Sequence, residues 1–369
     1  AVDPAFSGTV TGFVAGETQA TATTGTRVFA TTATIASPAG LYPINGSGLL
    51  ANNSNYRFVQ AAGNAIAYTI GAQAALVITA DDKSKLYGAA LPAFTATYAG
   101  FINGDTVASV TGLQFSTTAT VSSNVGTFTI TPFGATAPAY YLVGYVPGTL
   151  TINPAALTLS GTRVYNGTTF FPGGSLTATG VNGETFSVLG AGDTTNLGTR
   201  NVQTSSALAS VTGLTVGAGN TGAALATNYT DLATAGSAVS VTPAALTAST
   251  SNVVKTYSGT TAAAGTAVVT AGTLYGTDSL SGGAFAFTTK DVGTANKTVT
   301  VSGVAVSDGN GGSNYALTQV SNTTSTINPA TLTYVANTAG RLVGAVDPAF
   351  SGTVTGFVAG ETQATATTG

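Results

Sequence analysis

Ala1–Gly25 reads AVDPAFSGTVTGFVAGETQATATTG, and the same 25 residues return without a change at Ala345–Gly369. The offset is 344 residues, so the chain spans one full period and opens the next. Self-similarity at a fixed period is the signature of an arrayed architecture, and it sets the domain plan before any finer reading. The expectation is a stretch from inside a longer array of near-identical units, with a continuous polypeptide preferred. A discrete subunit that polymerises is the variant. In that case a neighbour's C-terminal segment fills a strand gap in residues 1–70, while Ala345–Gly369 competes with the chain's own first 25 residues.

A looser repetition lies inside the period. The linkers TIGAQAALVI (Thr69–Ile78), TINPAALTL (Thr151–Leu159), SVTPAALTA (Ser240–Ala248) and TINPATLTY (Thr326–Tyr334) resemble one another. Their marker residues Leu76, Leu157, Leu246 and Leu332 stand 81, 89 and 86 residues apart, and the step to the next equivalent is 88. One period therefore holds four units the size of an immunoglobulin domain. Pro154, Pro243 and Pro329 have a structural role here. Proline removes a backbone donor and keeps the preceding residue extended, so one strand ends and the next begins after a short, stiff step. A Gly/Ser-rich linker would leave neighbouring domains free.

Composition excludes much chemistry. Ten Lys+Arg and 13 Asp+Glu in 369 residues leave a net charge of −3 and no basic patch for nucleic acid or anionic lipid. There is no Cys, His, Met or Trp. Disulfides are thereby impossible, and zinc, haem and iron–sulfur sites lose their usual ligands. Nucleophilic triads lack their base. The adjacent acids Asp81 and Asp82 open a strand and are expected to be solvated. Asp308-Gly309-Asn310 lacks the ligand count of a calcium loop and reads as a hairpin turn. Lys83, Lys85, Lys255 and Lys290 are the candidates for isopeptide cross-links. No catalytic residue, cofactor or metal is expected.

The same composition points to strands. Thr and Val pack well on a pleated surface, and Gly and Asn supply turns. Alternation at Phe128–Ile130, Thr149–Ile152 and Thr298–Val301 marks individual strands, separated by turns such as Asn103-Gly104-Asp105 and Asn182-Gly183-Glu184. One short helical turn is expected near Asp105–Val110. The 14 Tyr and 16 Phe supply a core that a disordered chain lacks. A Tyr recurs before each unit's last strand: Tyr56, Tyr140, Tyr229 and Tyr315. The reading is a core ring whose hydroxyl ties down a loop, like the tyrosine corner of sandwich domains.

At these residues the chain resembles the MBG and YDG domains of very large bacterial surface adhesins and filamentous haemagglutinin-like proteins. Residues 76–152 resemble an MBG domain through Lys85-Leu86-Tyr87-Gly88, Pro92-Ala93-Phe94 and Gly100-Phe101-Ile102-Asn103-Gly104-Asp105-Thr106. Residues 331–369 begin a similar domain with Asp347-Pro348-Ala349-Phe350. Residues 1–70 read as an MBG-like domain lacking its first strand. Residues 156–241 and 245–327 resemble YDG domains through Arg163-Val164-Tyr165-Asn166-Gly167 and Lys255-Thr256-Tyr257-Ser258-Gly259, with Asn166 and Ser258 in place of the eponymous Asp.

The expected fold is all-β: four tandem small Ig-like β-sandwiches per 344-residue repeat, with a β-grasp-like variant as the alternative for the MBG units. The resemblance implies an extracellular, secreted structural repeat forming a stalk or fibre for adhesion, cell–cell contact or biofilm matrix. Its partners would be neighbouring copies, head to tail and laterally by strand pairing. At ~3.3 Å per strand residue, four domains in line give a period of roughly 150–180 Å. The alternative function is a glycan- or host-protein-binding module, whose candidate aromatics are Phe170-Phe171 and Tyr140-Tyr141.

Overall fold

Alternating β-branched and hydroxyl residues become strands, most of them short, in the computed structural model, which describes residues 4–358 and 360–368. The fold is all-β. Two compact units are present, Ala1–Ala155 and Ala156–Gly369. Every strand pairing stays within one of the stretches marked out by the linkers. Among the described residues, no helix is long and apolar enough to cross a membrane.

In the first unit, Ala74–Ala80 is the centre of a three-stranded sheet. It pairs in parallel with Tyr141–Val146 and antiparallel with Ala96–Ala99. The chain then changes sheets at Asp81-Asp82. Lys83–Leu86 runs parallel to Gly148–Asn153, which pairs in turn with Gly126–Phe133. The two acids serve this switch. Asp81 accepts from the Thr95 hydroxyl, and Asp82 Oδ1 accepts from the Thr149 N–H at 2.6 Å. The two sheets meet through Ala74–Ala80 and Gly126–Phe133. Leu76, Ile78, Ile130, Leu150 and Ile152 are fully buried in this domain, as period-2 patterning over a covered face requires. The expected helical turn is a 3₁₀ turn at Val107–Ser109.

Residues 4–70 are built more sparsely. Thr23–Thr31 pairs with Ile44–Ala51, and Gly40–Tyr42 with Tyr68–Ile70. Ala22, Thr23 and Ala33 are the buried side chains among the described residues here, and none is large.

The second unit holds separate sets of paired strands over residues 158–242, 244–328 and 333–355. Residues 158–242 form one six-stranded sheet, in which Thr158–Val164 runs parallel to Ala238–Thr242. Residues 244–328 repeat the two-sheet plan of the first unit. Ala244–Thr250 lies parallel to Tyr315–Gln319, and after the sheet switch Val254–Thr256 lies parallel to Asn322–Asn328. Val253, Phe287, Val299 and Ile327 form its core. Beyond this, Thr333–Ala336 pairs with Gly352–Thr355. Strands end at Asn153, Thr242 and Asn328, each directly before Pro154, Pro243 or Pro329. Pro154 is half-buried, and Pro243 and Pro329 are exposed.

Candidate functional site

A turn, an acid and a ring recur along the chain as one assembly. At Asn103-Gly104 and Asn182-Gly183 the backbone takes φ of 56° and 78°, and 57° and 76°. Asn and Gly tolerate this left-handed region. An acid follows each turn. The N–H of Glu17, Asp105, Glu184, Asp278 and Glu361 returns to the carbonyl three residues earlier at 3.0–3.1 Å, on Val14, Ile102, Val181, Tyr275 and Val358.

A tyrosine hydroxyl locks each of the first four turns. It accepts from the N–H of that same residue: Val14 to Tyr56 at 3.1 Å, Ile102 to Tyr141 at 2.7 Å, Val181 to Tyr229 at 3.0 Å and Tyr275 to Tyr315 at 2.8 Å. It also donates to the acid: Tyr56 to Glu17, Tyr141 to Asp105 at 3.0 Å, Tyr229 to Glu184 at 2.6 Å and Tyr315 to Asp278 at 2.8 Å. Neighbouring rings pack edge to face, as with Phe13 on Tyr56 and Phe186 on Tyr229.

Tyr56, Tyr229 and Tyr315 thus occupy one repeated place. The structure corrects the reading at Tyr140, because the fourth ring in that place is Tyr141. The strand starts at Tyr141 and aims that ring inward, to 5% exposure, whereas Tyr140 stays half-buried. Tyr140 bonds the same acid from the side, at 2.6 Å to Asp105 Oδ2. The Tyr140 and Tyr141 hydroxyls hold Asp105 below the ordinary carboxylate range, against its partial desolvation. The bond to Asp105 raises the Tyr140 phenol, and burial raises that of Tyr141.

In the second unit one such lock becomes a joint between domains. Asp278 Oδ2 accepts from Tyr315 of its own domain and from Tyr165 of the preceding one, both at 2.8 Å. Asp278 Oδ1 faces Arg200, also of the preceding domain, at 2.9 Å. The Tyr165, Tyr275 and Tyr315 rings pack around this carboxylate, and the Arg200 guanidinium lies 6.0 Å above the Tyr165 ring. Gly167 has to be glycine here, since a Cβ would stand 2.7 Å from Tyr275 Cβ and φ is +75°.

Arg200 also donates to the Asp308 carbonyl at 2.9 Å, and Asn314 Oδ1 accepts from the Val202 N–H at 2.9 Å. The Asp308 carboxylate is held by the N–H groups of Asn310, Gly312 and Asn314 at 2.7–2.9 Å. Burial disfavours its ionised form, but these donors outweigh burial and its pKa falls. Among the described residues, no group of acids is placed to hold a metal ion. Burial, followed by the bond to Asp278, pushes the Tyr165 phenol strongly upward. Tyr315 is pushed up to about 12, mainly by burial. The next joint repeats the pattern: Tyr257 donates to Glu361, and Lys290 lies 3.9 Å from that carboxylate.

A family model for the MBG domain (YGX type) matches residues 1–65 and 76–151, and a model for the YDG domain matches residues 242–326. The chain carries tandem MBG and YDG domains. No curated protein matches it. After the sheet switch, the strands Lys83–Leu86 and Val254–Thr256 each carry a lysine two residues before a Tyr. Lys85 Nζ donates to the Ala89 and Val121 carbonyls and Lys255 Nζ to those of Thr260 and Ala262. In the stretch 156–241, which these matches leave uncovered, Arg163 donates to the Val164 and Thr168 carbonyls. Burial lowers the pKa of Lys85 and of Arg163. These cations therefore tie loop carbonyls. Asn166 accepts from Arg163 at 2.7 Å and from the Thr168 hydroxyl at 2.8 Å.

Sequence reading found three of the four rings, named Lys85 and Lys255 for cross-linking and not for tying carbonyls, and missed the acids as partners of the rings and Arg200. A signal existed for the acids, since each follows a glycine turn 35 to 45 residues before a Tyr. No local pattern marks Arg200, which reaches its carboxylate across 78 residues.

Proposed function

We propose that this chain is a structural repeat of a giant secreted bacterial surface protein, forming a stalk or extracellular fibre for adhesion, cell–cell contact or biofilm matrix. It acts by geometry and not by catalysis. Its partners are neighbouring copies of the same repeat, joined head to tail. The observation that carries this reading is the joint at Asp278. A single carboxylate takes hydrogen bonds from both flanking domains, and an arginine from the preceding one neutralises it. Domains linked only by flexible peptide have no use for such a buried network. A network with every member satisfied favours one arrangement, because any other strips the carboxylate of Tyr165 and of its counter-ion Arg200 and leaves it Tyr315 alone. The short proline-marked linkers support the same reading.

Of the four rings that the glycan-binding alternative offers, Phe170 and Tyr140 are half-buried and the other two are covered. Phe171 is fully buried and Tyr141 nearly so, and neither ring is available to stack on a sugar.

Electron micrographs of concatenated repeats test the proposal. A straight filament with regular beading is the expected result. Asp278→Ala should then broaden the angle at the 156–242/244–328 joint while both domains remain folded. Compact, separate globules without an axial period would overturn the reading.

A further inference from the structure

Residues 74–153, 158–242 and 244–328 open and close with one construction. The first segment of each runs side by side with its last, and the two point the same way. In 158–242, Thr158–Val164 lies along Ala238–Thr242, from Ser160↔Ala238 to Val164↔Thr242. In 244–328 the seam crosses both sheets. Ala244–Thr250 lies along Tyr315–Gln319, and Val254–Thr256 along Asn322–Asn328. In 74–153, Ala74–Ala80 lies along Tyr141–Val146, and Lys83–Leu86 along Gly148–Asn153. Among the described residues these seams hold every parallel ladder, and all other strand pairs are antiparallel.

Parallel pairing is the less stable choice per residue, and it needs a long crossover between its two strands. Three domains nevertheless make it at the same place, between the segments by which the chain enters and leaves. The consequence is mechanical. A pull along the array enters the first segment at its N-terminal end and leaves the last at its C-terminal end. In parallel neighbours those two points lie at opposite ends of the seam. The load then slides one strand along the other and falls on all the seam's bonds together. In antiparallel neighbours the two points lie side by side, and the same pull opens the ladder bond by bond. Single backbone bonds contribute little each, so loading them together is what gives resistance.

The seams are continuous and their ends are anchored. At the sheet switch of 244–328, Val253 donates to the buried Ser325 Oγ at 3.0 Å and accepts from the Thr326 N–H at 2.9 Å. In 74–153 the switch is bridged by Asp82, which accepts from the Thr149 N–H at 2.6 Å. A tyrosine finishes each seam. The N–H groups of Tyr87, Tyr165 and Tyr257 donate to the carbonyls of Asn153, Thr242 and Asn328 at 2.8–2.9 Å, the last residue of each closing strand. The Tyr165 hydroxyl then reaches Asp278 of the following domain, and the Tyr257 hydroxyl reaches Glu361. The end of the seam is thus tied to the next domain where the load passes on.

We infer that these domains bear tension, each parallel seam being a shear clamp that keeps its domain folded when the array is pulled from its ends. This rests on the stalk reading for the source of the pull, and it adds the load that the stalk carries.

The chain has no cysteine, and Ala156, Ala235, Ala245 and Thr331 are exposed, so thiol handles can be placed on the full-length chain. Double variants are stretched between DNA handles in optical tweezers at one loading rate. Ala156→Cys with Ala245→Cys loads the seam of 158–242 in shear. Ala156→Cys with Ala235→Cys pulls on the adjacent starts of the same two strands and peels them apart. Both variants should melt like the unsubstituted chain, which leaves geometry as the difference between them. The shear pair should rupture at a severalfold higher force, because forced unfolding follows the unfolding rate along the pulled direction and not equilibrium stability. Equal forces in the two directions overturn the inference. Ala245→Cys with Thr331→Cys loads the two-sheet seam of 244–328 and should need more force than the one-sheet seam of 158–242. A weaker 244–328 overturns the inference as well. Beaded filaments whose domains peel and shear alike would remove the clamp and leave the stalk standing. Strong clamps in chains that form no regular filament would do the reverse.

Discussion

Residues 4–70 and residues 76–152 carry the same kind of domain, yet one buries nothing larger than Thr23 and the other buries Leu76, Ile78, Ile130, Leu150 and Ile152 completely. Their turns, acids and locking tyrosines correspond one to one. The difference is a single strand at the centre of one sheet. Ala74–Ala80 supplies two hydrogen-bonded flanks and the inward residues Leu76 and Ile78 in residues 76–152, and no described strand of residues 4–70 does the same. In a two-layer fold the core belongs to the middle strand more than to any edge.

The comparison breaks most visibly at Leu76. Leu76→Ala should destabilise the 76–152 domain by about 2–5 kcal/mol, since it empties a fully covered site. Leu332→Ala should change the melting of the isolated chain by less than about 0.5 kcal/mol. Differential scanning calorimetry on the two variants checks both values.

Glycine sharpens the contrast. Gly100→Ala forces a Cβ onto the Ala75 carbonyl and should cost about 3 kcal/mol, clash and positive φ together. Gly104→Ala meets open space and should cost about 1 kcal/mol, from φ alone. Urea titrations followed by tyrosine fluorescence measure the gap between them.

The domain joint offers a further test. Asp278→Ala removes a carboxylate shared by Tyr165, Tyr315 and Arg200, and leaves a half-buried guanidinium without its counter-ion. About 3 kcal/mol should be lost from the second unit and none from the first. Proteolysis of the Pro243 linker should quicken in parallel.

Alkali reaches the same joint. The Tyr165 and Tyr315 phenols titrate above the value of about 10 found in an unfolded chain. Because their folded pKa values are raised, their contribution is complete below pH ~10 and disappears as the pH climbs to about 12, the value for Tyr315, and beyond. Absorbance of tyrosinate should show these two groups ionising last, together with unfolding of the second unit. Tyr165→Phe should remove one late group and blunt the loss.

The smallest effect is expected at Tyr140. Tyr140→Phe removes one of two phenols on Asp105 and leaves Tyr141 in place. The Asp105 carboxyl should titrate higher by NMR, with little change in melting.

Much of the fold was legible in the residues. Leu76, Leu157, Leu246 and Leu332 mark the period, Thr/Val alternation marks the strands, and Pro154, Pro243 and Pro329 mark where strands stop. The site was legible only in part. Tyr229 and Tyr315 stand out by spacing, but Tyr140 and Tyr141 are adjacent and only the inward face of the strand separates them. The acids were invisible as partners because each meets its ring across 35 to 45 residues, and Tyr165 meets Asp278 across 113.

Sequence alone therefore determined the repeat length, the all-β class and the absence of thiol and imidazole chemistry, because those follow from composition and periodicity along the chain. Tertiary structure decided which rings lock which acids and where one carboxylate joins two domains. Those choices depend on packing between residues far apart in the chain, where identical letters meet different neighbours.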